Sequence, residues 1–237
     1  MKNNLQSLEN LKSSLLKLKN PQKAKLLSRF FKTGDGEYGQ GDIFLGLTVP
    51  QQRQVAKNHS HLTLSDLQNL LSSKIHEYRL SALFVLMAKY KKADETEKEE
   101  IFTFYLKNTK NINNWDLIDL SAPTIVGDYL LNRDKSILFK LAKSESLWEK
   151  RIAILSTYTL IRNNNVSETL KIAEILLKDN HDLIHKAVGW MLREVGKRNQ
   201  KAEENFLKKH YKIMLRTMLR YAIEKFGAEK RKFYLGK

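Results

Sequence analysis

Four stretches of this chain lie in register at a nearly constant spacing, and that spacing restricts the available folds more than any other feature. They are YRLSALFVLMAKY from Tyr78, NWDLIDLSAPTIV from Asn114, KRIAILSTYTLIR from Lys150 and HKAVGWMLREVGK from His185. Aligned, they put Arg79, Trp115, Arg151 and Lys186 at one position, separated by 36, 36 and 35 residues. Leu83, Asp119, Leu155 and Trp190 share a second position. Apolar residues recur within these stretches at intervals of three and four, the helical period. With three Pro and ten Gly in 237 residues, and no alternating pattern bounded by turn signals, the chain reads as almost wholly helical.

Helices are expected over 4–19, 21–32, 50–59, 63–73, 76–91, 94–108, 113–121, 123–131, 134–142, 147–163, 166–179, 182–197, 201–210 and 212–226. Elements this short, repeating at this period, stack as helical pairs in the manner of HEAT and armadillo arrays. The expected fold is therefore all-α: a curved α-solenoid of HEAT-like (ARM-type) repeats with a concave basic face. One domain is expected over residues 1–237, with 228–237 as a basic C-terminal tail. Equivalent positions in such a stack become neighbouring rungs about 10 Å apart. Trp115, Asp119, Arg151, Lys186 and Trp190 are then expected on one surface.

Lys and Arg number 42 against 26 Asp and Glu, a formal charge of +16. Such an excess concentrates polyanions near the surface, and nucleic acid is the usual partner. The chain has no Cys, which excludes disulfides, thiolate chemistry and Cys-ligated zinc, and fits a cytoplasmic protein. Its start, MKNNLQSLENLKSSLLKLK, lacks the continuous apolar core of a signal peptide and reads as the first folded helix. No apolar run is long enough to span a membrane.

The stretch NNWDLIDLSAPTIVGD, Asn113–Asp128, concentrates the chemistry. Trp115 and Asp119 are four apart and share one helical face. Pro123 belongs in a first turn, so the stretch reads as a short helix, a tight turn and a second helix. The plainer alternatives are a hairpin with a half-buried Trp, and an Asp119 that merely caps or salt-bridges. Asp116, three residues before Asp119, would complete a carboxylate pair for acid and base work, but reads more simply as a helix-start residue. Further on, Lys186, Trp190, Arg193 and Lys197 form a basic stripe broken by one ring, which suits a polyanion with something planar to touch. Its plain alternative is a solvated face with Trp190 turned into the core.

Two other motifs carry less. GDGEYGQGD at Gly34–Asp42 contains G-x-G-x-x-G, but no strand precedes it and its three carboxylates repel phosphate, so it reads as a flexible acidic loop. HDLIH sets His181 and His185 four apart without a third ligand at suitable spacing. His59, His61, His76 and His210 form no pattern. No metal and no cofactor is expected.

Taken together, NPQKAKLLSRFFK at Asn20–Lys32, FLGLTVPQQRQ at Phe44–Gln54, NWDLIDLSAPTIVGD at Asn114–Asp128, LWEKRIAIL at Leu147–Leu155 and HKAVGWMLRE at His185–Glu194 resemble the AlkD-like alkylpurine DNA glycosylases, a family of HEAT-like repeat proteins. The resemblance covers nearly the whole chain in order. It implies that Asp119, four residues after Trp115, is the catalytic carboxylate, that Trp190 is a second sugar-facing Trp, and that Arg151 lies near the DNA backbone. Phe30 stands where the family has a Tyr approaching DNA near the lesion, and the Gly34–Asp42 loop is longer than the family's connection. Lys186 and Arg193 would add phosphate contacts. The implied protein is a monofunctional glycosylase of base excision repair, a cytoplasmic monomer that associates with the nucleoid when on DNA. It would hydrolyse the N-glycosidic bond of N3- or N7-alkylated purines in double-stranded DNA without conventional base flipping. The alternatives are a non-catalytic binder of DNA structure and a helical scaffold for an acidic protein.

Overall fold

Every regular element among the described residues is helical, as the repeat demands. The structure, a computed structural model, describes residues 2–236, with side chains from Ser7 onward. The chain divides into two compact units, Met1–Leu117 and Ile118–Lys237. The first holds α1 (Lys2–Lys17), α2 (Pro21–Phe30), α3 (Val49–Lys57), α4 (Leu64–Leu71), α5 (His76–Tyr90) and α6 (Glu95–Lys107), and α7 (Trp115–Ala122) begins in it. The second follows with a π-helical turn (Pro123–Gly127), α8 (Ser136–Ala142), α9 (Leu147–Arg162), α10 (Ser167–Ile175), α11 (Asp182–Arg198), α12 (Gln200–His210), α13 (Arg216–Ala222) and α14 (Ala228–Leu235). The four aligned stretches fall on α5, α7 with the π turn, α9 and α11.

In the first unit α5 is the centre. Every side chain from His76 to Met87 is buried, because α3 and α4 pack on it and α1 and α6 flank it. Chain entry into the surrounding helices is set by caps. Asn20 accepts the Lys23 N–H at 2.9 Å ahead of Pro21, and Thr63 with Asp66 and Asp94 with Glu97 form capping boxes. By contrast α2 buries none of its residues and leaves Leu26 and Phe30 65% and 63% exposed.

The second unit is built on α9, whose residues Arg151–Thr157 are all buried between α8, α10 and α11. Pro123 does not open a new helix after a tight turn. Helix α7 runs straight into the π turn, and the Asp128 N–H reaches back five residues to the Pro123 carbonyl. Pro123 has no N–H to give the carbonyl four residues back, and the wide turn that follows it is fitted to α9 by packing. The turn is held from outside by Thr159 Oγ1, which donates to the Pro123 carbonyl at 2.6 Å. Residues 228–235, expected as a tail, form α14 and bury Tyr234, whose ring meets Tyr211 edge-on.

Gly127 closes the π turn onto α9, where a Cβ would come within 2.3 Å of the Ser156 carbonyl oxygen. That neighbour is backbone and cannot rotate away. Gly127→Ala should lower the free energy of unfolding by about 2 kcal/mol, read as a lower urea midpoint at unchanged slope.

Candidate functional site

Two clusters carry the chemistry, one in each unit. In the first, Phe31 stacks on Trp115 at 5.1 Å between ring centres and on Phe44 at 5.0 Å, and Phe44 stacks on His76 at 4.6 Å. Phe30, on the exposed end of α2, meets the Trp115 ring edge-on at 5.9 Å. This places the Phe30 and Trp115 of the sequence expectation side by side.

Under these rings lies a network of buried charge absent from the sequence expectation. His76 bonds the Asp116 carboxylate through Nε2 at 2.8 Å and faces Asp42 through Nδ1 at 3.3 Å. The Arg79 guanidinium donates to the same Asp42 oxygen at 2.6 Å and to the Ser73 carbonyl at 2.9 Å. Asp42 is thus no part of a free acidic loop: its side chain is 5% exposed. His76, which formed no pattern in sequence, is the centre of the network because the chain brings Asp42 and Asp116 to it from 34 and 40 residues away. Burial works against its charge, but the Asp116 carboxylate and the hydrogen bonds to Asp116 and Asp42 outweigh burial and hold its pKa up to about 9. For Asp42 burial raises the pKa, while the His76 hydrogen bond and the Arg79 charge bring it below the ordinary value. Asp116 therefore serves as partner to a histidine, and its pairing with Asp119 as acid and base has no support in these contacts.

The second cluster holds Asp119. Arg151 from α9 grips it with both edges of its fork, Nε to Oδ1 at 2.8 Å and Nη2 to Oδ2 at 2.7 Å. The remaining Nη1 donates to the Leu183 carbonyl at 2.5 Å. The Asp119 side chain keeps 15% exposure and that of Arg151 5%. Arg151 was expected on DNA phosphates; its guanidinium is buried and occupied within the protein. Arg79, at the equivalent repeat position, is likewise buried on a carboxylate.

Trp190 on α11 is half-buried, near Tyr158 at 6.2 Å, and its indole N–H donates to Glu194 at 3.1 Å. Lys186 pairs with Asp182 one turn back and is 40% exposed. Arg193 pairs with Glu224 and lies near Glu194. His181 caps α11 by accepting the Leu183 N–H, and His185 bonds the Asp179 carbonyl at 2.6 Å, so both histidines of HDLIH do local backbone work. Among the described residues no three His, Asp or Glu side chains gather to hold a metal, and no helix is long and apolar enough to cross a membrane.

The model of the DNA alkylation repair enzyme family matches residues 11–226. The chain belongs to that family. Among solved structures it is similar to a predicted DNA alkylation repair enzyme from Enterococcus faecalis, at 18% identity over 89% of this chain and 97% of that one, with a TM-score of 0.67. At that identity the likeness is one of fold. No curated protein matches. For a DNA alkylation repair enzyme the excess of positive charge has an evident use, since its substrate is a polyanion.

The buried His76 sets a pH dependence. Its folded pKa of about 9 lies above the unfolded value of 6.5, so the stability it contributes is complete below about pH 6.5 and is lost as the pH rises through 9. Denaturation midpoints should fall across that window by an equivalent of a few kcal/mol. In His76→Gln, less stable at every pH, that component of the slope should vanish.

Proposed function

We propose that this protein is a DNA glycosylase of base excision repair that hydrolyses the N-glycosidic bond of N3- or N7-alkylated purines in duplex DNA, acting as a cytoplasmic monomer. The observation that carries this reading is the state of Asp119: a partly exposed carboxylate, held at both oxygens by a buried guanidinium, four residues along one helix from Trp115.

An alkylated purine is already cationic, so it leaves with the bonding electron pair and needs no proton. The barrier is the positive charge left on the sugar. A carboxylate fixed in place before the reaction stabilises that charge without reorganising. It also orients the water that attacks C1′ and accepts the proton that water releases, passing it to solvent. Arg151 suits this role as a positioning residue: it holds both Asp119 oxygens and fixes the rotamer, and a fork anchored on the Leu183 carbonyl cannot swing. The faces of Trp115 and Trp190 are assigned to the sugar, where they exclude water. Lys186, Arg193 and Phe30 are assigned to the DNA backbone near the lesion. Exposed pairs such as Lys186 with Asp182 are weak and screened, so phosphate displaces the carboxylate at small cost.

Asp119→Asn keeps a hydrogen bond to Arg151 while removing the charge. Release of free base from N7- or N3-alkylated duplex should fall about a hundredfold, on the order of 3 kcal/mol, with DNA binding retained. A variant that releases base at the wild-type rate would end the proposal, and wild-type binding without release would favour the non-catalytic alternative. Lys186→Ala should reduce the slope of log affinity against log salt by about 0.9 and leave the rate at saturating DNA unchanged. Arg151→Lys, which loses the fork, should lower kcat with that slope unchanged.

A further inference from the structure

The positive charge of this protein is unevenly placed. Between Lys208 and Lys237 ten Lys and Arg stand against two Glu, so one half of the formal +16 falls on this short part of the chain. Glu224, one of the two acids, is already engaged by Arg193 and Lys225. Among the described residues Lys209, Arg216, Arg220 and Lys232 are exposed and pair with no carboxylate. Cations crowded in this way repel one another, and an acidic partner relieves the repulsion.

The same segment shows apolar side chains to water. Phe233 is 64% exposed, Ile213 57% and Leu215 42%. Packing explains the first of these. Tyr234 is buried, with Tyr211, Phe226 and Phe233 at 5.3, 5.8 and 5.2 Å between ring centres, and this fixes the roll of α14. Neighbouring side chains on a helix diverge by about 100°, so burying Tyr234 turns Phe233 outward. Two contacts join this helix to the connection between α12 and α13. The Phe233 ring meets Tyr211 at 5.9 Å, and Arg216 Nη1 donates to the Leu235 carbonyl at 2.5 Å. Ile213 and Leu215 lie in the chain between Tyr211 and Arg216, so the three exposed apolar side chains and the cations beside them belong to one surface. Exposed apolar side chains rimmed by charge mark a place where another molecule sits.

Phosphate answers only half of this surface. A phosphodiester backbone satisfies cations, but bases stack on rings and leave branched aliphatic side chains such as Ile213 and Leu215 uncovered. Three side chains are also too small an apolar face to hold a lipid surface. A protein segment in which carboxylates alternate with apolar side chains supplies both kinds of contact. We propose that α14 and the α12–α13 connection form a docking surface for such an acidic segment of a partner protein. Its apolar side chains cover Phe233, Ile213 and Leu215, and its carboxylates pair with the four exposed cations. None of these residues belongs to the Asp119 cluster, so the surface does not rest on the glycosylase reading.

The test is fluorescence anisotropy of a labelled synthetic peptide alternating Asp or Glu with Phe and Leu, titrated with the full-length protein. The same peptide with Ala at every apolar position serves as comparison. The first should bind saturably and the alanine peptide about tenfold more weakly. Phe233→Ser should weaken the first peptide about tenfold, and the double variant Arg220→Glu with Lys232→Glu should weaken it and flatten its salt dependence. Thermal melts establish that both variants fold. No saturable binding of the first peptide, equal binding of the two peptides, or binding indifferent to these substitutions in folded protein overturns the proposal. So does a Phe233→Ser variant that loses more affinity for single-stranded DNA or for phosphatidylglycerol vesicles than for the peptide, since nucleic acid or lipid would then be the occupant. Wild type that binds the peptide but releases no base from alkylated duplex sinks the glycosylase reading alone.

Discussion

A buried guanidinium needs acceptors in place of water, and Arg151 at the heart of the second unit finds three inside the protein. Two acceptors come from Asp119 and the third from the Leu183 carbonyl, so one buried cation ties α7, α9 and the start of α11 together. Removing the Asp119 charge would leave the buried Arg151 guanidinium without its counter-charge, a change that ordinarily costs about 3–5 kcal/mol. The same contact that secures the fold also fixes a carboxylate in one rotamer at the surface of the unit. Structure and proposed chemistry thus use one interaction, and Asp119 has no freedom to serve as a mobile nucleophile.

The first unit repeats the device with a different emphasis. Arg79 lies one repeat ahead of Trp115, two ahead of Arg151, and is also buried against a carboxylate, but its partner Asp42 comes from a loop. His76 then couples that pair to Asp116, at the first turn of α7. Counting only the buried groups, Asp42, Glu77 and Asp116 against Arg79 and His76, the cluster keeps one net negative charge in a protein of +16.

Much of this was readable from residue order. The all-helical character follows from period and from scarce Pro and Gly, and the aligned stretches do mark the buried helices α5, α9 and α11. The 36-residue register also pairs Arg79 with Arg151, two arginines with the same buried use. What periodicity could not supply was tertiary. A Pro inside WDLIDLSAPTIVGD is a helix start by local rules, and only packing against Thr159 and Ser156 makes a π turn the better solution. Asp42 looked like one of several loop carboxylates because its partners lie more than thirty residues away. Arg151 looked like a surface cation because nothing in a helix pattern tells a paired arginine from a free one. A usable signal did exist: Arg79 and Arg151 both sit within strongly apolar stretches, where a lone charge is rarely tolerated without a partner.

The Gly34–Asp42 loop has two ends with opposite tolerances. Gly36, at φ +74°, has open space around it and Asp35 and Glu37 are exposed, whereas Gly39 is buried with its N–H on the Lys32 carbonyl, so tolerance for change is confined to the tip around Gly36. Its last residue is the counter-ion for Arg79 and His76, and Ile43 immediately after it pairs with the backbone around Ile75. The segment therefore joins a tolerant tip to a fixed anchor. Drift in its composition carries little information about kinship, whereas exchange of the anchoring aspartate would have to be accompanied by changes at both of its partners.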